Sequence, residues 1–196
     1  MMTYRKRIPW MLALFMILLF CGCKKEDKVA DGAALLGQGQ YTEAQEKFQE
    51  AVDEGENLGE AYRGIGLCLW EQEDYEGAAV SFGAALDNGA EETATIYNLL
   101  GICEMKLGRA ERAAYYFGNG RVFPDAEMEL LKEMAFNEIA AYEEMGDYLT
   151  ARDKLEEYVQ KYPDDARAAK ELDFLKTQAP GEPDTDADSG AQTSGE

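Results

Sequence analysis

One pattern of glycine, aromatic and alanine residues recurs along this chain at a nearly constant interval. Gly39, Tyr41, Ala44, Phe48 and Ala51 reappear as Glu73, Tyr75, Ala78, Phe82 and Ala85, 34 residues on. They return as Gly108, Ala110, Ala113, Phe117 and Gly120 after 35 more, and as Gly146, Tyr148, Ala151, Leu155 and Tyr158 after a further 38. Upstream of each lies a second segment, clearest as Tyr62, Ile65, Gly66 and Leu69 and as Tyr97, Leu100 and Gly101. Apolar residues three and four apart in paired segments, at a period near 34, describe stacked helical hairpins. A single hairpin of this size cannot bury its own apolar face, so the copies must stack into one continuous core.

The residue types fit that arrangement. Gly66 and Gly101 fall inside predicted helices, where glycine costs about 1 kcal/mol relative to alanine. Such a cost is tolerable where a neighbouring helix has to come close. Ala44, Ala78, Ala113 and Ala151 play the same part on the second helix, and Tyr41, Tyr75, Phe48 and Phe82 fill the space between. Gly39, Gly108 and Gly146 fall in the turn between the two helices, where a positive φ is cheap only for glycine.

This pattern resembles the tetratricopeptide repeat family. The resemblance implies an all-α fold, a right-handed α-solenoid of about four helical hairpins. The repeats are placed at about 25–58, 59–93, 94–131 and 132–165. A capping helix at 166–177, with Leu172 and Leu175 on one face, shields the last of them. Repeat one has Lys28 where the family has a large aromatic residue, and repeat four has Ile139 in place of the first-helix glycine. From 179 to 196 no aromatic or branched aliphatic residue occurs, so an acidic tail without its own core is expected.

The first residues read as an address. Arg5, Lys6 and Arg7 precede an apolar run from Trp10 to Phe20, whose 11 residues fall short of the roughly 20 that span a bilayer. Phe20, Cys21, Gly22 and Cys23 follow. This resembles the lipobox of bacterial prolipoproteins, with residues 1–22 as the signal peptide and Cys23 as the lipidated residue, because Gly22 supplies the small side chain before the cut. Two acyl chains on Cys23 would give stable membrane anchoring, with Lys24, Lys25 and Lys28 beside the headgroups. An uncleaved signal anchor, or plain secretion, is the alternative. Residues 23–178 are then the repeat domain, displayed in the cell envelope on the extracytoplasmic side of the membrane.

The chain contains no histidine, and its formal net charge is −20. Without residues 1–22, 16 cationic side chains face 39 carboxylates. Such a surface repels phosphate backbones, which argues against nucleic acid and for neutral or basic protein partners. The missing imidazole removes the commonest general base and metal ligand. Cys68 and Cys103 take equivalent first-helix places and read as small buried apolar residues. Asp184, Asp186 and Asp188 begin like a calcium loop, but Ser189 stands where glycine is required and Gly195 where a bidentate acid is. No catalytic, metal or cofactor site is expected, and the chain is read as no enzyme.

What the family resemblance does supply is an inner groove lined by set first-helix positions. These are Val29, Ala33 and Leu36 in repeat one, then Arg63, Leu67, Trp70 and Glu71. Repeat three gives Asn98, Ile102, Met105 and Lys106, and repeat four gives Phe136, Ala140, Glu143 and Glu144. Leu67, Trp70, Ile102, Met105 and Phe136 are expected to form an exposed apolar strip that takes a peptide or partner helix. The function expected is that of a membrane-anchored protein–protein interaction scaffold or adaptor. A structural homo-oligomer using the same strip as a self-interface is the alternative.

Overall fold

The computed structural model describes residues 27–179. The signal peptide, Cys23 and the tail from residue 180 lie outside the described residues. Nine helices occur among the described residues: α1 (Lys28–Leu36), α2 (Tyr41–Asp53), α3 (Leu58–Glu71), α4 (Tyr75–Asp87), α5 (Ala94–Lys106), α6 (Ala110–Gly120), α7 (Met128–Glu144), α8 (Tyr148–Lys161) and α9 (Ala166–Gln178). They form four hairpins and a cap, an all-α repeat solenoid. The fourth hairpin begins within the span given to repeat three, because α7 starts at Met128, ahead of the expected boundary at 131/132.

Local chemistry explains where these helices start and stop. Asp27, Asp74, Thr93, Asp147 and Asp165 each accept a hydrogen bond from a first-turn amide of the following helix, which satisfies donors that the helix itself cannot. At the turns, Gln40 N–H reaches back to Leu35 O, Asp74 to Leu69, Arg109 to Glu104 and Asp147 to Tyr142. Each such return requires a left-handed residue just before it. Gly39, Gly108 and Gly146 supply it, with φ of 75°, 68° and 73°. In repeat two the residue is Glu73, at φ 59°, a conformation that side chains disfavour.

The core is a series of phenylalanine rings laid on glycines. A Cβ on Gly66 would lie 2.6 Å from the ring of Phe82, one on Gly101 2.5 Å from Phe117, and one on Gly32 2.9 Å from Phe48. All three rings are buried. The ring of Phe48 also presses on Gly64 of the next hairpin, so one side chain seals a repeat and its junction together. In repeat four Ile139 and Leu155 share the equivalent space, both fully buried. Leu172 and Leu175 of α9 close the end of that cluster.

At the edges, Lys28 is engaged by the fold: its ammonium lies 3.0 Å from Glu50, and only 14% of its side chain is exposed. Ala179, expected to begin the tail, is buried, and its carbonyl accepts a hydrogen bond from Arg152. No helix among the described residues is long and apolar enough to cross a membrane.

Gly101→Ala is expected to lower stability by about 1–3 kcal/mol through overpacking, despite the helix propensity it gains. Gly83, inside α4 with nothing within 4 Å of its missing Cβ, is the control. Gly83→Ala should raise stability by up to about 1 kcal/mol, read from the urea midpoint by circular dichroism.

Candidate functional site: the row of first helices

The first helices form the inner side of the stack. The backbones of α1 and α3 approach within 8 Å, as do those of α5 and α7, whereas no two consecutive second helices do so. In a curved stack the row that closes up is the inner one. Between α3 and α5, however, no Cα pair lies within 8 Å, so the inner row opens midway. The connection between α4 and α5, residues 88–93, is longer than the 54–57 connection before it.

Leu67 and Trp70 stand on one side of this opening and Ile102 and Met105 on the other. They are half-buried, less open than the exposed strip expected. Leu67 and Trp70 lean on the cluster around Phe82 and Leu100, while Ile102 and Met105 lean on that around Phe117 and Met134. Tyr75, at the start of α4, spans the interval. Its ring meets Trp70 edge-on with centroids 5.6 Å apart, and the Lys106 ammonium sits 6.0 Å from its centroid. Arg63 is exposed and paired with Glu60. Asn98 departs from its expected place on the open wall: its side chain is buried, with Oδ1 lacking a hydrogen-bond partner.

Phe136 is half-buried too. Tyr158 meets it edge-on at 4.7 Å, and the Arg167 guanidinium of α9 lies 3.9 Å from its centroid. The cap thus covers part of the ring through the Arg167 side chain. A cleft of about 310 Å³ remains beside it, lined by Lys132, Asn137, Tyr158, Asp165 and Arg167 among others. Tyr158 donates its hydroxyl to Asp165 at 2.9 Å, and Asp165 in turn caps α9. Burial, then that hydrogen bond, pushes the Tyr158 phenol up to about 12, and the same hydroxyl holds the Asp165 carboxyl below its usual range.

Two buried carboxylates escaped the sequence reading. Glu104 is fully buried, with Arg112 at 2.9 Å and Arg109 at 3.6 Å. Glu138 is nearly so, held by Lys154 at 2.6 Å and by Arg121. Each occupies a slot that is apolar in a sister repeat: Leu69 for Glu104, Ile65 and Leu100 for Glu138. A charge at an apolar register position was the available signal. Each is matched by two cations, as a buried charge must be. Cys68 and Cys103 are free and buried, and burial pushes their thiols up to about 11 and about 12. Thiols this basic are poor nucleophiles at neutral pH.

The raised Tyr158 phenol has a testable sign. A group whose pKa is higher folded than unfolded stabilises below the unfolded value, 10.0, and loses that contribution as pH rises through about 12. Tyr158→Phe should therefore melt below the wild type near neutral pH, and the gap should narrow above about pH 10 in thermal melts. A constant gap would show that the hydroxyl makes no pH-linked contribution.

No curated protein matches the chain. Among solved structures it is similar to YrrB, described as a TPR protein with an unusual peptide-binding site, at 20% identity and a TM-score of 0.63. That match covers 76% of this chain and 75% of the other. It is also similar to the MamA protein, at 14% identity and a TM-score of 0.64, over 77% of this chain and 80% of that one. Two family models described as tetratricopeptide repeat match the sequence, one at residues 30–92 and 70–120 and the other at 139–165. Together these matches take in more than half of the chain, the first on the three hairpins with glycine–phenylalanine contacts and the second on the fourth. Repeats of this kind are scaffolds for protein–protein interaction, and the chain belongs to the tetratricopeptide repeat family.

Proposed function

We propose that this protein is a lipid-anchored adaptor of the bacterial cell envelope, fixed to the membrane through Cys23 and receiving a peptide or partner helix on its inner face. The observation that carries the binding reading is the opening between α3 and α5. There the half-buried Leu67, Trp70, Ile102 and Met105 flank the Tyr75 ring without closing over it. A partner that inserts apolar side chains completes burial that the fold leaves unfinished, and Trp is a frequent anchor in such contacts. The net charge of −20 favours a neutral or basic partner. The similarity to YrrB, described as having a peptide-binding site, supports this reading.

A Trp70→Ala, Met105→Ala variant tests the inner face. Used as bait beside the wild type in solubilised envelope, with helicity matched by circular dichroism, it should lose a partner that the wild type retains. If both baits retain the same proteins, the inner face is not the binding surface. Self-association that depends on protein concentration and disappears in the variant would move the reading to a homo-oligomer.

Anchoring is tested separately. Wild-type chain should follow the detergent in a cloud-point phase separation, and Cys23→Ser should move to the aqueous phase. Equal partitioning of the two would remove the lipid from the account.

A further inference from the structure

A second cleft lies at the edge where the repeats are joined, beside the N-terminal ends of α5 and α7. Two connections exceed the four residues found at 54–57 and 162–165: the 88–93 segment before α5 and the 121–127 segment before α7. These two long connections face each other and enclose about 530 Å³. Phe123, Pro124, Ala126 and Leu130 give the cleft an apolar floor, where the Phe123 ring is braced 5.7 Å from that of Tyr97.

Four carboxylates, Glu91, Glu92, Asp125 and Glu127, stand at its rim, all exposed, and no lysine or arginine lines it. Little of this charge is used by the fold. Glu92 accepts the Tyr97 hydroxyl at 2.9 Å, but Glu91, Asp125 and Glu127 have no ion-pair partner among the described residues. Glu127 is the N-cap residue of α7, yet its side chain makes no capping hydrogen bond. An apolar floor under an unneutralised acidic rim is complementary to one kind of occupant.

We propose that this cleft docks a partner segment in which an apolar side chain lies beside basic ones. The apolar group covers Phe123 and Leu130, and the cations meet the rim carboxylates. The chain's own acidic end is excluded as occupant by like charge. The site is independent of the inner-face reading, since none of the residues flanking the opening between α3 and α5 lines this cleft.

The test uses full-length protein in detergent and a short fluorescein-labelled peptide alternating leucine and arginine, followed by anisotropy. Asp125→Asn with Glu127→Gln should weaken binding about tenfold, the loss of two favourably placed ion pairs. Glu46→Gln with Glu157→Gln removes the same charge from exposed second-helix positions and should change affinity less than about twofold. Trp70→Ala should bind as the wild type does, and a probe with serine for leucine should bind far more weakly. Equal loss in the two charge pairs would reduce the effect to net acidity and overturn the proposal. Loss with Trp70→Ala would place the peptide on the inner face, and undiminished binding of the serine probe would remove the apolar floor. Either result overturns it.

Discussion

Every hairpin in the first three repeats depends on one contact, a phenylalanine ring resting on the backbone of a helical glycine. Gly32, Gly66 and Gly101 leave no Cβ, and Phe48, Phe82 and Phe117 occupy the vacated space. Glycine inside a helix costs about 1 kcal/mol, while burying a phenylalanine contributes about 1.5–3 kcal/mol, so the pair is favourable only when the ring truly fills the gap. Phe48 also contacts Gly64, which carries the same interlock across a repeat boundary. Because each hairpin touches only its neighbours, stability in such a stack is nearly a sum of these local terms. The fourth hairpin redistributes volume, giving the first helix Ile139 and the second Leu155, and it needs α9 to cover what remains.

The period stretches at two steps, and the row of first helices opens at the first of them only. The step from repeat two to repeat three is 35 residues, and the next is 38. The 88–93 and 121–127 connections are longer than 54–57, and α7, at 17 residues, is also longer than the 13-residue α5. The first of these connections coincides with the separation of α3 from α5, and both wall the edge cleft. The same half of the molecule carries Glu104 and Glu138. Arg109, Arg112, Arg121 and Lys154 reach them from the surface and stay partly exposed themselves.

Much of this was legible in the sequence, and for a clear reason. Period, helix pairing, turn glycines and the cap follow from residue size and spacing, which a linear pattern records directly. The strip on the inner row was legible only in its positions. Its depth of burial depends on how far neighbouring hairpins rotate, and no periodicity reports that. Phe136 was expected in the open and is partly covered, because Arg167 comes from a different helix that the repeat pattern does not describe. Asn98 sits on the row assigned to it, yet it turns into the stack. Glu73 was visible as a departure from glycine, but only the backbone shows that it adopts the left-handed turn regardless.

The two candidate surfaces share one helix. At its C-terminal end α5 presents Met105 and Lys106 toward Tyr75 and the opening to α3. At its N-terminal end Thr93, Ala94 and Thr95 form part of the edge cleft. Thirteen helical residues set these ends about 20 Å apart, too far for one short side chain and near enough for one rigid element to feel both. Because α5 meets no backbone of α3 directly, its position relative to repeats one and two is set through α4. Both candidate surfaces therefore bear on the junction between repeats two and three, where the core around Phe82 and Leu100 joins the two hairpins although the first helices stand apart.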